Sequence, residues 1–321
     1  MRILRDPSEI DYKGIVATIG FFDGVHVGHR YLIDEVKAAA AKRGLASAVI
    51  TFATHPRAVV HPAFQPRLLN SFADKMRLLG ETGIDYALVL DFTEALSLLT
   101  AAEFLRLLAA QWQVKGLLVG YDHHFGHDRA GDFCHYVQSG AECGIEVMKA
   151  SAFDEGKTKV SSSEIRRLLL KGDVERAAEL LSYSYQLSGH IVSGHKVGRT
   201  LGFPTANICP DEPLQLLPAV GVYAVWVEWA GQRFKGMLYI GNRPTLDNGE
   251  QLSIEVNILH FSGDIYEDPI RVFFVHFVRG NVKFNSLSEL KAQLNQDRLT
   301  VDRLLNDEKK HRRIKHDGAL L

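Results

Sequence analysis

The stretch "TIGFFDGVHVGHR", residues 18–30, decides how the first half of the chain folds. It follows an apolar run, contains Gly20, Gly24 and Gly28, and leads into an alanine-rich segment with helical spacing. A glycine-rich turn between a buried strand and a helix is typical of a phosphate-binding site, because backbone N–H groups at the helix start face the ligand. The stretch matches neither G-x-G-x-x-G nor G-x-x-x-x-G-K-[ST]. Its distinguishing residues are His26 and His29, at the mouth of the helix.

Two imidazoles three residues apart have two chemical uses. They can ligate a metal ion, but no acidic H-E-x-x-H pattern accompanies His26 and His29. They can also donate hydrogen bonds to a phosphate and stabilise the charge that develops on a pyrophosphate leaving group. A lone histidine in a turn usually only packs against its neighbours and has no chemical role. The pair, the glycines and the helix start together favour phosphate chemistry.

Up to about residue 181, short apolar runs alternate with amphipathic helical patterns. The predicted strands are residues 14–20, 45–52, 85–92, 115–121 and 144–150. The predicted helices between them are residues 28–44, 71–83, 100–112 and 131–144. This alternation predicts a Rossmann-like α/β domain with a parallel sheet, whose ligands bind beyond the carboxyl ends of the strands.

After "LLSYSYQLSG" the pattern becomes β-rich. Segments 221–241, 252–259 and 270–278 read as strands separated by turn signals, which predicts an antiparallel β-barrel. A final helix is predicted from about Ser286, which stands at capping-box spacing from Glu289. We therefore predict two domains, residues 1–182 and residues 183–321.

The amino-acid composition restricts the classes of partner and the cellular compartment that we expect for this chain. The net charge of −1 gives no global field that favours nucleic acid or a membrane surface. Three cysteines without C-x-x-C spacing argue against a disulfide framework or a zinc site and favour a reducing compartment. The N-terminal residues lack a signal-peptide core, and no apolar run approaches the roughly 20 residues that span a bilayer. We expect a cytoplasmic protein with neither nucleic-acid nor membrane partners.

A second helix start, "KVSSSEIRRLLLKG", offers another half of a phosphate site. Ser161 and Glu164 stand at capping-box spacing, and Arg166 is expected in the first turn. Backbone N–H groups, serine hydroxyls and a guanidinium together suit a triphosphate. Because serine-capped helices with an arginine are common, the motif carries weight only beside the histidine turn.

The stretch "GHIVSGHKVGRTLGFPTANI" opens the second half. Gly194, Gly198 and Arg199 nearly form a P-loop, but the spacing is one residue short, arginine replaces lysine and no helix follows. A Walker site is therefore rejected. What remains is a glycine flap followed by Thr205 and Asn207, whose oxygens suit Mg²⁺.

Four motifs of the first half resemble a known family. "ATIGFFDGVHVGHR" and "VSSSEIR" resemble the two signatures of the nucleotidyltransferase superfamily. With "TFATHPR" and "LLVGYDHHFGHDRAGD", the first half resembles the FMN adenylyltransferase module of bacterial bifunctional riboflavin kinase/FAD synthetases. The resemblance implies catalytic roles for His29 and Arg166. It implies that ATP is bound by Gly20, Phe21, Asp23, Gly24, His26, Gly28 and Ser162.

The same resemblance implies a flavin-binding loop that contains Asp122, His124 and Phe125. His124 departs from the family pattern, in which a basic or small residue is usual. His123 and His127 also stand at i, i+4 spacing, as a metal pair on a helix would. The strand end before them and the glycine at position 126 disfavour a helix there, so metal binding is not favoured.

The second half resembles the riboflavin kinase family from Gly189 to about Leu305, through "GRTLGFPTAN", "GVYAV", "YIGNRPT" and "SIEVNIL". The resemblance implies that Gly194, Gly198 and Arg199 bind ATP, that Thr205 and Asn207 bind Mg²⁺, and that Glu255 is the base for the riboflavin 5′-hydroxyl. An acid within a strand is otherwise a solvent-facing residue or an ion-pair partner. Asn257 and His260 stand where the family often has histidine and aspartate.

The resemblance implies a bifunctional enzyme of FAD synthesis. Riboflavin and ATP–Mg²⁺ would give FMN in the barrel, and FMN and a second ATP would give FAD and pyrophosphate in the N-terminal domain. An alcohol nucleophile benefits from a carboxylate base, whereas the anionic phosphate of FMN needs only a stabilised leaving group. The alternatives are an enzyme with one degenerate domain and a non-catalytic flavin or nucleotide sensor. A nicotinamide-dependent oxidoreductase is weaker, because no G-x-G-x-x-G follows the first strand.

Overall fold

The computed structural model divides the chain into two compact units. It describes residues 1–61, 63–120, 125–127, 133–151, 160–193, 202–244, 250–263 and 265–317. Backbone contacts separate Met1–Ser162 from Ser163–Leu321. The boundary predicted between residues 182 and 183 lies farther along the chain and stays a prediction. Within the described residues, no helix is both long and apolar enough to cross a membrane.

The first unit is built on a six-stranded parallel sheet. Its strands are β1 (Arg2–Leu4), β2 (Ile15–Ile19), β3 (Ala46–Phe52), β4 (Tyr86–Leu90), β5 (Val114–Val119) and β6 (Glu146–Lys149). Their order across the sheet is β1-β4-β3-β2-β5-β6, and each neighbouring pair is parallel. The predicted parallel sheet is confirmed. The edge strand β1 was not predicted, because three residues show no periodicity.

Helices connect these strands. They are α1 (Val27–Arg43), α2 (Pro56–Val60), α3 (Phe72–Gly80), α4 (Glu94–Ser97), α5 (Ala101–Trp112) and α6 (Phe133–Cys143). A capping box, Thr100 with Glu103, starts α5, and Gly44 ends α1 in the left-handed region with φ 62°. The four predicted helices are present within about two residues at most ends. The unpredicted α2 and α4 have five and four residues.

The strand order places a crevice beside the histidine turn. Strands β2 and β5 are neighbours in the sheet. From β2 the chain continues to β3 in one direction across the strand order, and from β5 it continues to β6 in the opposite direction. Ligands of open α/β sheets bind at such a switch point, outside the carboxyl ends of the strands. The histidine turn follows β2, and the predicted flavin loop follows β5. Both predicted motifs therefore begin at the same edge of the sheet.

The second unit is a closed antiparallel barrel with helices. Its strands are β7 (Gln186–Val192), β8 (Ala206–Pro210), β9 (Gly221–Trp229), β10 (Gln232–Pro244), β11 (Glu250–Ile258) and β12 (Pro269–Arg279), in the order β10-β11-β8-β7-β12-β9. The helices are α7 (Ser162–Leu169), which begins at the unit boundary, α8 (Val174–Leu181) and α9 (Leu287–Asp317). The predicted barrel and final helix are confirmed. The sequence did not delimit β7 and β8.

Ion pairs attach α9 to the barrel. Arg279 makes a bidentate contact with Asp297, at 3.1 Å from Nε to Oδ1 and 2.8 Å from Nη2 to Oδ2, and the Asp297 side chain is 2% exposed. Lys235 Nζ lies 2.5 Å from Asp302 Oδ1. Val301 is fully buried in the adjoining core cluster. Paired and hydrogen-bonded, the buried carboxylate of Asp297 fixes the helix on the barrel.

Candidate active sites

The turn between β2 and α1 has a strained backbone. Phe22, Gly24 and Val25 adopt positive φ angles of 56°, 86° and 38°. The side chains of Phe22 and Val25 are 2% and 0% exposed. A non-glycine residue in this region costs of order 1–3 kcal/mol and persists only where its surroundings hold it. Core packing therefore fixes the shape of the turn.

His26 and His29 form a stacked pair at the start of α1. His26 is the N-cap residue, and its Nδ1 accepts a 3.3 Å hydrogen bond from the His29 backbone N–H. The two rings stack with centroids 3.6 Å apart and an interplanar angle of 15°. His26 is 6% exposed, whereas His29 is partly exposed. A neutral His26 that accepts at Nδ1 carries its proton on Nε2, so this ring both caps the helix and retains a donor.

The predicted second motif meets this turn at Ser162. The Ser162 hydroxyl donates to the Asp23 carbonyl oxygen over 2.8 Å. The Asp23 carboxylate is buried and accepts from the Leu69 backbone N–H at 2.9 Å. Asp23 therefore braces the turn against the segment before α3. The predicted ATP-binding roles of Asp23 and Ser162 stay predictions.

A buried lysine lies under the turn and was not predicted. Lys75 on α3 is 3% exposed and donates to the carbonyl oxygens of Phe52 at 2.8 Å and Phe21 at 3.1 Å. The "TFATHPR" motif also contacts Phe21. Thr51 Oγ1 donates to the Phe21 carbonyl oxygen at 3.2 Å, and the centroid of the His55 ring lies 4.6 Å from that of the Phe21 ring. Phe21 is thus held from three directions.

Arg166 lies elsewhere on α7 than predicted. It is the fifth residue of a helix that begins at Ser162, and one turn takes 3.6 residues, so the prediction of the first turn is wrong. The Glu164 carboxylate pairs with Arg167, and this hydrogen bond lowers the pKa of Glu164. Arg166 belongs to the second compact unit, so its phosphate-binding role stays a prediction.

The predicted flavin loop is described in part. Phe125 is 8% exposed, and its ring stacks on Tyr136 with centroids 4.4 Å apart. Its backbone N–H and carbonyl oxygen both bond to the Tyr136 hydroxyl, at 3.3 Å and 3.1 Å. Phe125 thus anchors its loop to the core, and its flavin contact stays a prediction. The described residues include His127, whose backbone N–H donates to the Leu99 carbonyl oxygen at 2.8 Å, but not Asp122, His123 and His124.

In the barrel, three neighbouring strands bring polar side chains together. Glu255 on β11 pairs with Asn207 on β8 and with Tyr239 on β10. Thr205, just before β8, donates its hydroxyl to Glu255 Oε2 at 3.2 Å. Glu255 is partly buried, and Asn207 is 7% exposed. The structure therefore brings together the three residues predicted as base and metal ligands.

Tyr239 and Asn257 complete this cluster. Burial, and to a smaller extent the charge of Glu255, raises the pKa of Tyr239, so its hydroxyl stays protonated beside the carboxylate. Its ring covers Gly241, where an added Cβ would lie 2.3 Å from ring atoms. Asn257 Nδ2 donates to the Pro204 carbonyl oxygen at 2.6 Å and so holds the "PTAN" segment. No role was predicted for Tyr239 from the sequence, and Asn257 was noted only as a departure from the family pattern.

A cavity of about 820 Å³ opens beside this cluster. Its lining includes Ser193, Pro204, Thr205, Asn207, Phe261 and Tyr266. Small-molecule sites are typically clefts of roughly 300–1,000 Å³ with a few placed polar groups on apolar walls. The described residues do not include Gly194, Gly198 and Arg199, the predicted ATP-binding residues of the flap. His260, the other departure, is exposed and follows β11 with φ 56°.

Comparison with known proteins decides the family. The FAD synthetase family model matches residues 8–164, and the riboflavin kinase family model matches residues 181–305. The bifunctional riboflavin kinase/FMN adenylyltransferase of Escherichia coli K12 is 38% identical over 305 residues, which cover 94% of this chain and 96% of the relative. The chain belongs to the bifunctional riboflavin kinase/FMN adenylyltransferase family.

Other members of the bifunctional family are about equally similar. The Pseudomonas fluorescens protein is 36% identical over 89% of this chain and 92% of its own length. The Listeria monocytogenes protein is 37% identical over 88% and 90%. A crystal structure described as a macrolide-efflux protein from Streptococcus pneumoniae has a TM-score of 0.84 and 31% identity, covering 94% of this chain and 98% of that one. The fold is therefore shared along nearly the full length.

Each candidate site lies in a region of the chain that one of the two family models matches. The FAD synthetase match contains His26, His29 and Ser162, and the riboflavin kinase match contains Thr205 and Glu255. Arg166 lies just beyond the first match, which ends at residue 164. In the bifunctional family the two named activities thus correspond to separate parts of this chain.

The barrel cluster has the donors that a hard cation prefers. In the described part of the chain, no group of three or more His, Cys, Asp or Glu residues could hold a metal ion. The hydroxyl of Thr205, the amide of Asn207 and the carboxylate of Glu255 supply oxygen atoms on adjoining backbone. Mg²⁺ usually keeps several waters and binds through few protein oxygens and the substrate phosphates. These residues therefore fit a metal that arrives with ATP.

Proposed function

We infer that this chain makes FAD from riboflavin in two ATP-dependent steps. Riboflavin and ATP give FMN and ADP, and FMN and a second ATP give FAD and pyrophosphate. The observation that carries this inference is that each region matched by a family model contains a cluster of side chains suited to the reaction of that family. Family matches over both halves favour the bifunctional enzyme over a protein with one degenerate domain, and a sensor would need no base such as Glu255.

We propose that phosphoryl transfer takes place beside Glu255. Its carboxylate accepts the proton of the riboflavin 5′-hydroxyl while that oxygen forms a bond to the γ-phosphorus of ATP and the bond to ADP breaks. Thr205 donates to Oε2 and so orients the carboxylate. Tyr239, held protonated, lies across the strand pair from the base. When bound at Thr205 and Asn207, Mg²⁺ would neutralise the ATP phosphates.

We propose that adenylyl transfer takes place at the histidine turn. A phosphate oxygen of FMN forms a bond to the α-phosphorus of ATP, and pyrophosphate leaves. No general base is needed, because the FMN phosphate is already anionic. His29 donates to the leaving pyrophosphate, and His26 orients the His29 backbone through the helix cap. The N–H groups at the start of α1 favour the added negative charge.

Four further sets of residues complete these proposals. Gly20, Gly24 and Gly28 let the phosphates approach the backbone. Gly194, Gly198 and Arg199 would bind the first ATP, the one that phosphorylates riboflavin. Asp122, His124 and Phe125 would place the flavin ring in the first unit, Phe125 through the backbone of its loop. Phe21 and Asp23 would shape the ATP site rather than change its charge.

A fragment experiment tests the separation of the two reactions. We expect the fragment Ser182–Leu321 to phosphorylate riboflavin and to form no FAD, because it retains Glu255 and lacks His29. Its products from riboflavin and ATP would be separated by chromatography. A folded fragment without kinase activity would contradict the proposal that the barrel contains a complete site.

A longer fragment, Ser163–Leu321, is the matched control. It retains α8, whose Glu175 lies 2.9 Å from His276 on β12, and the 3.0 Å hydrogen bond from Ala219 N–H to the Leu169 carbonyl. We expect equal kinase activity from the two fragments. The melting temperature of the longer fragment should be about 3 °C higher, the shift that about 1 kcal/mol in the free energy of unfolding gives for a chain of this size. Equal melting temperatures would show that α8 adds nothing to the barrel.

A further inference from the structure

The Lys75 ammonium group is buried and fully used as a donor. It bonds to the carbonyl oxygens of Phe52 and Phe21, at 2.8 Å and 3.1 Å, and to Thr51 Oγ1 at 3.4 Å. An ammonium group has three N–H donors, and a buried charge without partners is strongly unfavourable. The three contacts therefore stabilise the positive charge of Lys75 at a position that solvent does not reach.

These contacts join two strands at the ligand-binding edge of the sheet. Phe21 follows β2, and Phe52 ends β3, the strand paired with β2. Lys75 Nζ also lies 4.0 Å from the centroid of the Phe21 ring, which is cation–π distance. A single ammonium group thus fixes both the backbone and the ring of Phe21, immediately before the turn that leads to His26 and His29.

The charged groups around Lys75 come from several elements. The Asp23 carboxylate faces it from the turn and attracts its charge. His55 lies behind the Phe21 ring, and Arg5 lies 5.1 Å from the ring of Phe72 at the start of α3. On α3 itself, Asp74 bonds to Ser71 and lies 3.6 Å from Arg77.

We propose that the Lys75 ammonium is a positioning group for adenylyl transfer, and that FAD formation requires its positive charge. The charge holds Phe21 and so sets the turn in the shape that receives the phosphates. Nothing in the kinase reaction depends on it. This inference rests on the proposed function, because it assigns a residue to the second of the two steps.

The charge of Lys75 titrates in an accessible range. Burial lowers the pKa of Lys75 from 10.5 to about 8, and the attraction of Asp23 limits this shift. Above that pH the neutral amine has one N–H fewer and no cation–π contact with Phe21. A hydrogen bond to a charged group is worth about 1.5–3 kcal/mol, or roughly 10- to 100-fold in rate. We therefore expect FAD formation from FMN to fall by that factor as the pH rises through about 8.

Stability should change in the opposite direction. Because the pKa of Lys75 is lower in the folded chain, the unfolded chain binds more protons between about pH 8 and pH 10.5. The contribution of Lys75 to the free energy of unfolding therefore rises with pH across that interval. Alkaline unfolding of the whole chain would lower both activities together, and unfolding of the first unit alone would show as a loss of circular dichroism, which is recorded at each pH. Titration of Lys75 lowers FAD formation alone.

The test compares the two activities of the full chain from about pH 6.5 to about pH 9.5. FAD formation is started from FMN, riboflavin phosphorylation is started from riboflavin, and the same ATP and metal serve both. Lys75→Arg keeps the charge at every pH and should remove the alkaline decrease. Lys75→Met should lower FAD formation by a similar factor at every pH and leave riboflavin phosphorylation unchanged. Lys37→Met is the control, because Lys37 also donates to a backbone carbonyl, that of Thr82 at 2.7 Å.

Each outcome decides between the inference and its alternatives. A wild-type chain whose two activities share one pH profile above pH 7 overturns it, even if Lys75→Met fails to fold. An alkaline decrease that persists in Lys75→Arg, or disappears in Lys37→Met, overturns it as well. Absence of FAD at every pH contradicts the proposed function instead. FAD formation without a separate alkaline decrease contradicts only the role of Lys75.

Discussion

Replacing Glu255 with glutamine should lower the rate of riboflavin phosphorylation by roughly 10²–10⁴-fold, the usual cost of losing a positioned general base. Glutamine keeps the shape of the side chain and can still accept the hydrogen bond from Thr205. It cannot take the proton of the riboflavin hydroxyl. The loss should therefore appear in kcat more than in KM when FMN and ADP are measured.

The chain supplies two controls for this result. With FMN as the substrate, Glu255→Gln should form FAD at the wild-type rate, because that step uses the other unit. Glu228→Gln removes another carboxylate from a barrel strand, one that is 3.6 Å from Arg271 and 44% exposed, and should leave both activities intact. Near wild-type phosphorylation by Glu255→Gln would mean that Glu255 is only a strand-surface acid.

Replacing His29 with alanine should lower FAD formation by roughly 10²-fold or more. The reason is the loss of a donor to the leaving pyrophosphate, at a site whose backbone is fixed by the packing of Phe22 and Val25. The measurement is pyrophosphate release from FMN and ATP. Riboflavin phosphorylation by the same preparation should stay unchanged.

Two comparisons separate this effect from a structural one. His61→Ala changes an exposed histidine of the same unit and should leave FAD formation unchanged. His26→Ala removes the N-cap of α1 and should lower the free energy of unfolding by about 0.5–2 kcal/mol, a loss that His29→Ala should not match. A metal ion that wild type retains tightly and His29→Ala loses would instead identify the histidines as ligands.

Much of the fold could be predicted because its signals are local. The interior strands of the sheet are buried on both faces and therefore read as apolar runs, as β2 does over Ile15–Ile19. Strand β8, Ala206–Pro210, has five residues of which two are buried, and it gave no alternation to detect. In β7 a serine and a glycine interrupt the pattern.

The sites were predicted less completely, because their decisive contacts are distant in sequence. A lysine in an amphipathic helix is normally solvated, and the partners of Lys75 lie 23 and 54 residues away. The usual N-cap residues are Ser, Thr, Asp and Asn, so the cap formed by His26 Nδ1 was not expected. The place of Tyr239 beside Glu255 depends on strand register, which only the pairing of β10 with β11 reveals.

The most direct test of the two-step account follows the products of the full chain. Purified protein would be incubated with riboflavin, ATP and Mg²⁺, and FMN, FAD, ADP and pyrophosphate would be measured over time. The account predicts that FMN forms first and FAD follows, with one ADP and one pyrophosphate released for each FAD. FMN that accumulates without FAD, FAD that forms only when FMN is supplied, or no turnover of riboflavin would contradict it.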